Sequence, residues 1–153
     1  MRDHQGPRRS ARFIEIFLLF ALPFLLDLFV PIRILIHAPY TFIGVLVMLG
    51  GLTLANAARK LFNAAETSFQ LQGESHTLVT DGPFQFSRNP IYLGMLLWLL
   101  GLAILLGSLS AFFLPILLFL VMHFFMVPFE EKRMEEIAGE AYLEYKSHVR
   151  RWF

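Results

Sequence analysis

From Ile91 to Phe129 the chain runs thirty-nine residues without an Asp, Glu, Lys or Arg, with Arg88-Asn89-Pro90 before the stretch and Glu130-Glu131 after it. One membrane crossing takes about 20 apolar residues, so the stretch is too long for one span and fits two. The sequence therefore predicts a transmembrane helical hairpin, with its turn at Gly107-Ser108-Leu109-Ser110, where small and polar residues cluster. A hairpin returns the chain to the side it left. Arg88 and Glu130-Glu131, far apart in sequence, then converge on one membrane surface beside an apolar cavity.

Two further spans are readable upstream. Phe13 to Val30 forms one, with a possible extension past Pro31 to Ile36, and Phe42 to Ala58 forms the other, where Gly51 and Ala55 offer a neighbouring helix a small-residue face. Composition agrees: 56% of residues are hydrophobic and 16% charged, too little polar surface to cover a soluble domain. The first span carries Glu15, Pro23 and Asp27 and lacks a small-residue cleavage site after it, so it reads as a retained span and not as a signal peptide. The expected fold is an all-α integral membrane protein of about four transmembrane helices. Met1 to Arg12 holds four Arg against one Asp, and of the 13 Lys and Arg only Arg33 falls between the first two spans. The positive-inside bias then puts both termini and residues 59–90 in the cytosol, most simply at an inner or cytoplasmic membrane. The chain divides into a basic N-terminus (1–12), two spans (13–58) and a C-terminal unit (59–153).

Within that last unit, Gln72-Gly73-Glu74-Ser75 and Thr80-Asp81-Gly82-Pro83 are turn signals, and Pro90 suits the first turn of the third span. A helix N-terminus at that point favours an anionic group. After the hairpin, Met134, Ile137, Ala138, Ala141, Tyr142, Tyr145, Val149 and Trp152 recur at three- and four-residue steps. They predict one cytosolic amphipathic helix, lying on the membrane or capping the bundle. Glu130 falls on its apolar stripe and Glu131 at the edge, and a carboxylate on a buried face needs a cationic partner.

There is no cysteine, which excludes disulfides and thiolate chemistry, and the histidines at 4, 37, 76, 123 and 148 lack metal-site spacing. No metal is expected. A net charge of +1 gives no grounds for a nucleic-acid partner. His123 shares a helical face with Glu130, though a lone histidine in a span is more often packing than catalysis. Asp27, near the outer end of its span, is not a site residue.

The string Leu78-Val79-Thr80-Asp81-Gly82-Pro83-Phe84-Gln85-Phe86-Ser87-Arg88-Asn89-Pro90-Ile91-Tyr92-Leu93-Gly94, then Glu130-Glu131, Gly139-Glu140-Ala141-Tyr142-Leu143-Glu144-Tyr145 and Val149-Arg150-Arg151-Trp152, resembles the isoprenylcysteine carboxyl methyltransferase family. Related phospholipid and thiol methyltransferases share this core. The resemblance covers about the C-terminal half and implies a membrane enzyme that uses S-adenosylmethionine. It implies a cofactor pocket built from Arg88, Asn89, Pro90, Tyr92, Gly94, Glu130 and Glu131, with Arg88 and Glu131 in the catalytic role. That pocket opens to cytosol for the cofactor and to lipid for a lipophilic acceptor. Two positions depart from the family pattern: Asn89 stands for His, and Phe84 for Tyr.

Chemistry weighs the same way. The methyl donor carries a sulfonium, an ammonium and a carboxylate, so its pocket needs an acidic and a basic group, and this chain brings Glu130-Glu131 and Arg88 together. Methyl transfer relies on positioning more than on a nucleophile and base pair. No Gly-x-Gly-x-x-Gly marks a dinucleotide fold. Two other classes stay in view: a non-catalytic bundle or transporter subunit, and a nicotinamide-dependent membrane reductase, whose cofactor phosphates call for more basic residues at the hairpin mouth.

Overall fold

A computed structural model describes residues 33–72 and 78–153, without the side chains of 66–72. The basic N-terminus, the expected span Phe13–Val30 with Asp27, and the turn at Gly73-Glu74-Ser75 lie outside the described residues. Among the described residues the fold is helical, with one isolated antiparallel bridge, Ile34 to Ser108, and no strand. Helix α1 is Ile43–Gln72, entered through a 3-10 turn at Tyr40–Phe42. Helix α2 is Pro90–Leu106, α3 is Phe113–Val121, and α4 is Val127–His148. A π turn, Met122–Met126, joins α3 to α4. Two stretches, Tyr40–Ala65 and Ser110–His148, are long and apolar enough to cross a bilayer, and α2 is a shorter apolar helix of 17 residues.

The hairpin forms where the sequence places it. Helix α2 ends at Gly107, which takes the left-handed conformation (φ 71°) and returns its N–H to the Ala103 carbonyl at 3.0 Å. Ser110–Phe112 then starts the second arm as a 3-10 turn. Chain entering from the N-terminal side is stitched to this turn: Leu35 N–H donates to Gly107 O at 2.7 Å and Leu109 N–H to Arg33 O at 2.7 Å.

Small residues set the contact between α1 and α2. Gly44 faces Gly101 and Gly51 faces Gly94, two pairs spaced seven residues apart on antiparallel helices. A Cβ on Gly94 would stand 2.6 Å from the Gly51 carbonyl oxygen and 2.7 Å from the Ala55 nitrogen. Seven residues make about two helical turns, so both pairs lie on one seam and the backbones meet along it. In lipid, where burial of apolar surface gives no drive to associate, close backbone packing of this kind holds helices together. Ala58, seven residues beyond Gly51, is fully buried.

The C-terminal region differs from the single amphipathic helix expected from its periodicity. Gly139 interrupts α4 with φ 53° and ψ −127°. The Lys146 ammonium reaches the Glu135 carboxylate at 2.6 Å, whereas eleven residues of straight helix would separate them by about 16 Å. The chain therefore folds back at Gly139. It leaves helical geometry altogether at Val149 (φ −113°, ψ 132°), so Trp152 lies on an extended tail. The apolar stripe is shared between two helical pieces facing one space: Met134 and Ile137 from one, Tyr142 and Tyr145 from the other, all line the same cavity.

Gly94→Ala forces the α1–α2 seam apart and is expected to lower stability by about 1–3 kcal/mol. Gly50→Ala, whose added Cβ meets nothing within 4 Å, is expected to be neutral or mildly stabilising; thermal unfolding in one detergent compares the two. Gly139→Ala places a side chain in open space but in a conformation L residues rarely adopt, and is expected to cost about 1–3 kcal/mol by the same measurement. An unchanged melting point for Gly139→Ala would mean that the fold-back does not need this geometry.

Candidate active site

The hairpin mouth, the 78–92 segment and both pieces of α4 enclose a cavity of about 680 Å³. Its apolar wall includes Phe62, Leu78, Val79, Ile91, Met134 and Ile137, and its polar groups include Arg88, Asn89, Tyr92, Glu130, Glu131 and Arg133. Arg88 and the two glutamates, separated by the whole hairpin, meet as the sequence predicts. Arg88 Nη2 lies 3.1 Å from Glu131 Oε1, with only 9% and 6% of the two side chains exposed.

Glu131 is the anchor of this arrangement. It receives a second cation from the tail: Arg151 Nη2 donates to Oε2 at 2.7 Å and Arg151 Nε to Oε1 at 3.1 Å. A two-bonded guanidinium of this kind supplies both charge and fixed geometry. These bonds push the Arg151 pKa up, against the opposing effect of burial, so the group stays cationic. The tail backbone is bound just as firmly. Arg88 N–H donates to Arg150 O at 3.0 Å, Asn89 Nδ2 to Arg151 O at 3.1 Å, and the Ser87 hydroxyl to the same carbonyl at 3.3 Å. Tyr145 closes the other side by donating its hydroxyl to Phe84 O at 2.7 Å. Burial, reinforced by Tyr142 and opposed by Arg88, pushes the Tyr145 pKa up to about 12. The phenol therefore stays a neutral donor at physiological pH.

The two glutamates exchange the places expected of them. Glu131 is buried, on the same face of α4 as Val127, while Glu130 is exposed at the cavity. Tyr92 donates its hydroxyl to Glu130 Oε1 at 2.5 Å. With Glu131 held by two arginines, Glu130 is the carboxylate with acceptor capacity facing the cavity. Arg88 carries the complementary feature. Its Nε and Nη1 are buried and have no hydrogen-bond partner, an expensive state for cationic donors.

Arg88, Asn89, Pro90, Tyr92, Glu130 and Glu131 thus all line the cavity, and Gly94 does not: it lies one turn deeper, in the seam with Gly51 and Ala55. Asn89 and Pro90 shape the entry to α2, and the Asn89 side chain is engaged with the tail. The residue that helical periodicity misses is Arg151; Trp152, counted there on the helical stripe, lies on the tail, where its indole Nε1 donates to His123 Nδ1 at 3.0 Å. Their signal was the terminal Val149-Arg150-Arg151-Trp152 string; reading it as helix hid its role as a strap.

The family model for phospholipid methyltransferases matches residues 39–141. Protein-S-isoprenylcysteine O-methyltransferase of Saccharomyces cerevisiae is 35% identical over 107 residues, covering 68% of this chain and 44% of that protein. Protein-S-isoprenylcysteine O-methyltransferase B of Arabidopsis thaliana is 35% identical over 79 residues, covering 50% and 39%. The Schizosaccharomyces pombe enzyme of the same name is 34% identical over 82 residues, covering 51% and 33%. The chain therefore spans less than half the length of these curated relatives. No solved structure is significantly similar to it. With the matched region running from the start of α1 through the fold-back of α4 and taking in most of the cavity wall, the chain belongs to the phospholipid methyltransferase family.

Proposed function

We propose that this chain is an integral membrane methyltransferase that takes S-adenosylmethionine in the hairpin-mouth cavity and methylates a lipophilic or small apolar acceptor. The observation that carries this reading is the pair of unpartnered buried donors on Arg88. A guanidinium with donors still unengaged is a suitable partner for a carboxylate. On the same cavity, Glu130 supplies the anionic partner that an ammonium requires, and the rest of the wall is largely apolar.

S-adenosylmethionine, when bound, supplies a methyl group on an electrophilic sulfonium. The protein's part is to bind and orient. Arg88 would hold the carboxylate through a donor that Glu131 does not engage, while Nη2 stays on Glu131. Glu130, steadied by Tyr92, receives the ammonium. Glu131 acts as a positioning group, because its own oxygens are taken by Arg88 and Arg151. Phe62, Val79, Met134 and Ile137 keep the reacting region poor in water, which suits a displacement in which separated charge is neutralised. No side chain is asked to move a proton at the methyl group.

The lipophilic acceptor is favoured by the cavity's place at the hairpin mouth and by the relatives' names, which specify an isoprenylcysteine. Four crossings with both termini cytosolic would open the cavity to the compartment where the cofactor is made. A nicotinamide reductase is disfavoured by charge: the cavity's basic residues, Arg88 and Arg133, are matched by two glutamates, leaving little for several phosphates.

Arg88→Lys keeps the charge and removes the guanidinium donors that Glu131 leaves unengaged, and is expected to weaken S-adenosylmethionine binding about 10- to 100-fold. Glu130→Gln is expected to weaken it by about tenfold. Equilibrium binding to the purified protein, beside NADPH as a comparison, checks both. Parent-like affinity in both variants, or preference of the parent for NADPH, would overturn the assignment.

A further inference from the structure

His123 and Trp152 form a polar contact that the cavity chemistry leaves unused. Trp152 Nε1 donates to His123 Nδ1 at 3.0 Å, and the imidazole lies among three rings: Phe119 at 5.5 Å, Trp152 at 6.3 Å and Phe124 edge-on at 4.8 Å. The indole also packs on the buried Leu96, Leu118 and Met122 cluster. An indole N–H is a donor only, so Nδ1 must be the unprotonated nitrogen and the proton sits on Nε2.

The π turn explains why His123 meets the tail. On a regular helix, eight residues at about 100° each leave His123 and Glu131 roughly 80° apart, with His123 aligned to Glu130 instead. A π turn absorbs one extra residue and takes back roughly 100°, which leaves His123 and Glu131 within about 20°. Pro128 accounts for its position: it has no N–H for the Phe124 carbonyl four residues back, so the regular ladder fails at that point. The outcome is two grips on consecutive tail residues from one helix face, Glu131 on Arg151 and His123 on Trp152.

We propose that His123 is a positioning residue: by latching Trp152 it holds the C-terminal strap so that Arg151 occupies Glu131 and Arg88 gives that carboxylate one nitrogen only. Arg151 takes Glu131 Oε2 and shares Oε1 with Arg88. Without it, the buried carboxylate has one cation left and closes on Arg88 with both oxygens, drawing a second guanidinium nitrogen away from ligand. The strap therefore sets whether Arg88 is available, and the latch sets the strap. This inference rests on the reading of Arg88 as the carboxylate site; the latch itself does not.

The test uses three single variants and one double variant of the full chain in one detergent, each read by S-adenosylmethionine affinity and by hydrogen exchange of residues 149–153. His123→Leu removes the acceptor, Trp152→Phe removes the donor while keeping a ring, and His123→Asn keeps an acceptor close to the Nδ1 position. The first two are each expected to weaken binding about fivefold and to speed exchange of the tail, with the double variant no worse than either alone. His123→Asn is expected to stay within about twofold of the parent in both readouts. Parent-like tail exchange in both His123→Leu and Trp152→Phe overturns the latch, as does an Asn variant no better than Leu. Released tails with unchanged cofactor affinity overturn the link from strap to Arg88. A parent that binds no S-adenosylmethionine overturns the functional reading instead, and tail exchange still decides the latch.

Discussion

A single buried carboxylate, Glu131, organises the cytosolic end of this protein. An unpaired charge at that depth is strongly unfavourable, and removing one partner of a buried pair typically costs about 3–5 kcal/mol. Glu131 meets this demand with two guanidinium groups from opposite ends of the C-terminal half, Arg88 before the hairpin and Arg151 after the fold-back of α4. Three segments far apart in sequence are thereby tied at one point. The same arrangement leaves Arg88, a residue of the cavity wall, incompletely satisfied.

What lies below the ion pairs makes their meeting possible. The glycine seam fixes α2 against α1 at near backbone contact, so the entry to α2, with Arg88, Asn89 and Tyr92, has one position relative to the bundle. The second arm returns at a register set by the hairpin turn and then altered by the π turn. That alteration carries His123 round to the face of Glu131, and the pair then engages adjacent residues of the strap. Packing in the apolar layer and charge pairing at its edge are thus coupled through the register of one helix.

Much of this was legible in the sequence, and the parts that were not share a cause. The hairpin and the convergence of Arg88 with the glutamates follow from the length of an uncharged stretch and the small residues at its middle, which are robust because a bilayer imposes them. The roles of Glu130 and Glu131 were not readable, since a one-residue change in helical register decides which of two neighbours is buried; Pro128 was the only local hint. Likewise the stripe from Met134 to Tyr145 picked out Met134, Ile137, Tyr142 and Tyr145, which line the cavity, but also Ala138 and Ala141, which do not, and it ran straight through Gly139. Gly94, taken with the pocket from its place in a motif, works in the helix seam. Asp27 and the first expected span lie outside the described residues.

The claim on which the account turns is that Arg88 is held open for a carboxylate. Decarboxylated S-adenosylmethionine keeps the adenosine, the sulfonium and the amine and lacks only that group. Its affinity relative to the intact cofactor, measured by equilibrium binding on the parent and on Arg88→Ala, isolates the contact. The account predicts that the parent binds the decarboxylated form about 10- to 100-fold more weakly, and that Arg88→Ala binds the two alike. Equal affinities in the parent, or a preference that survives the loss of Arg88, would contradict it.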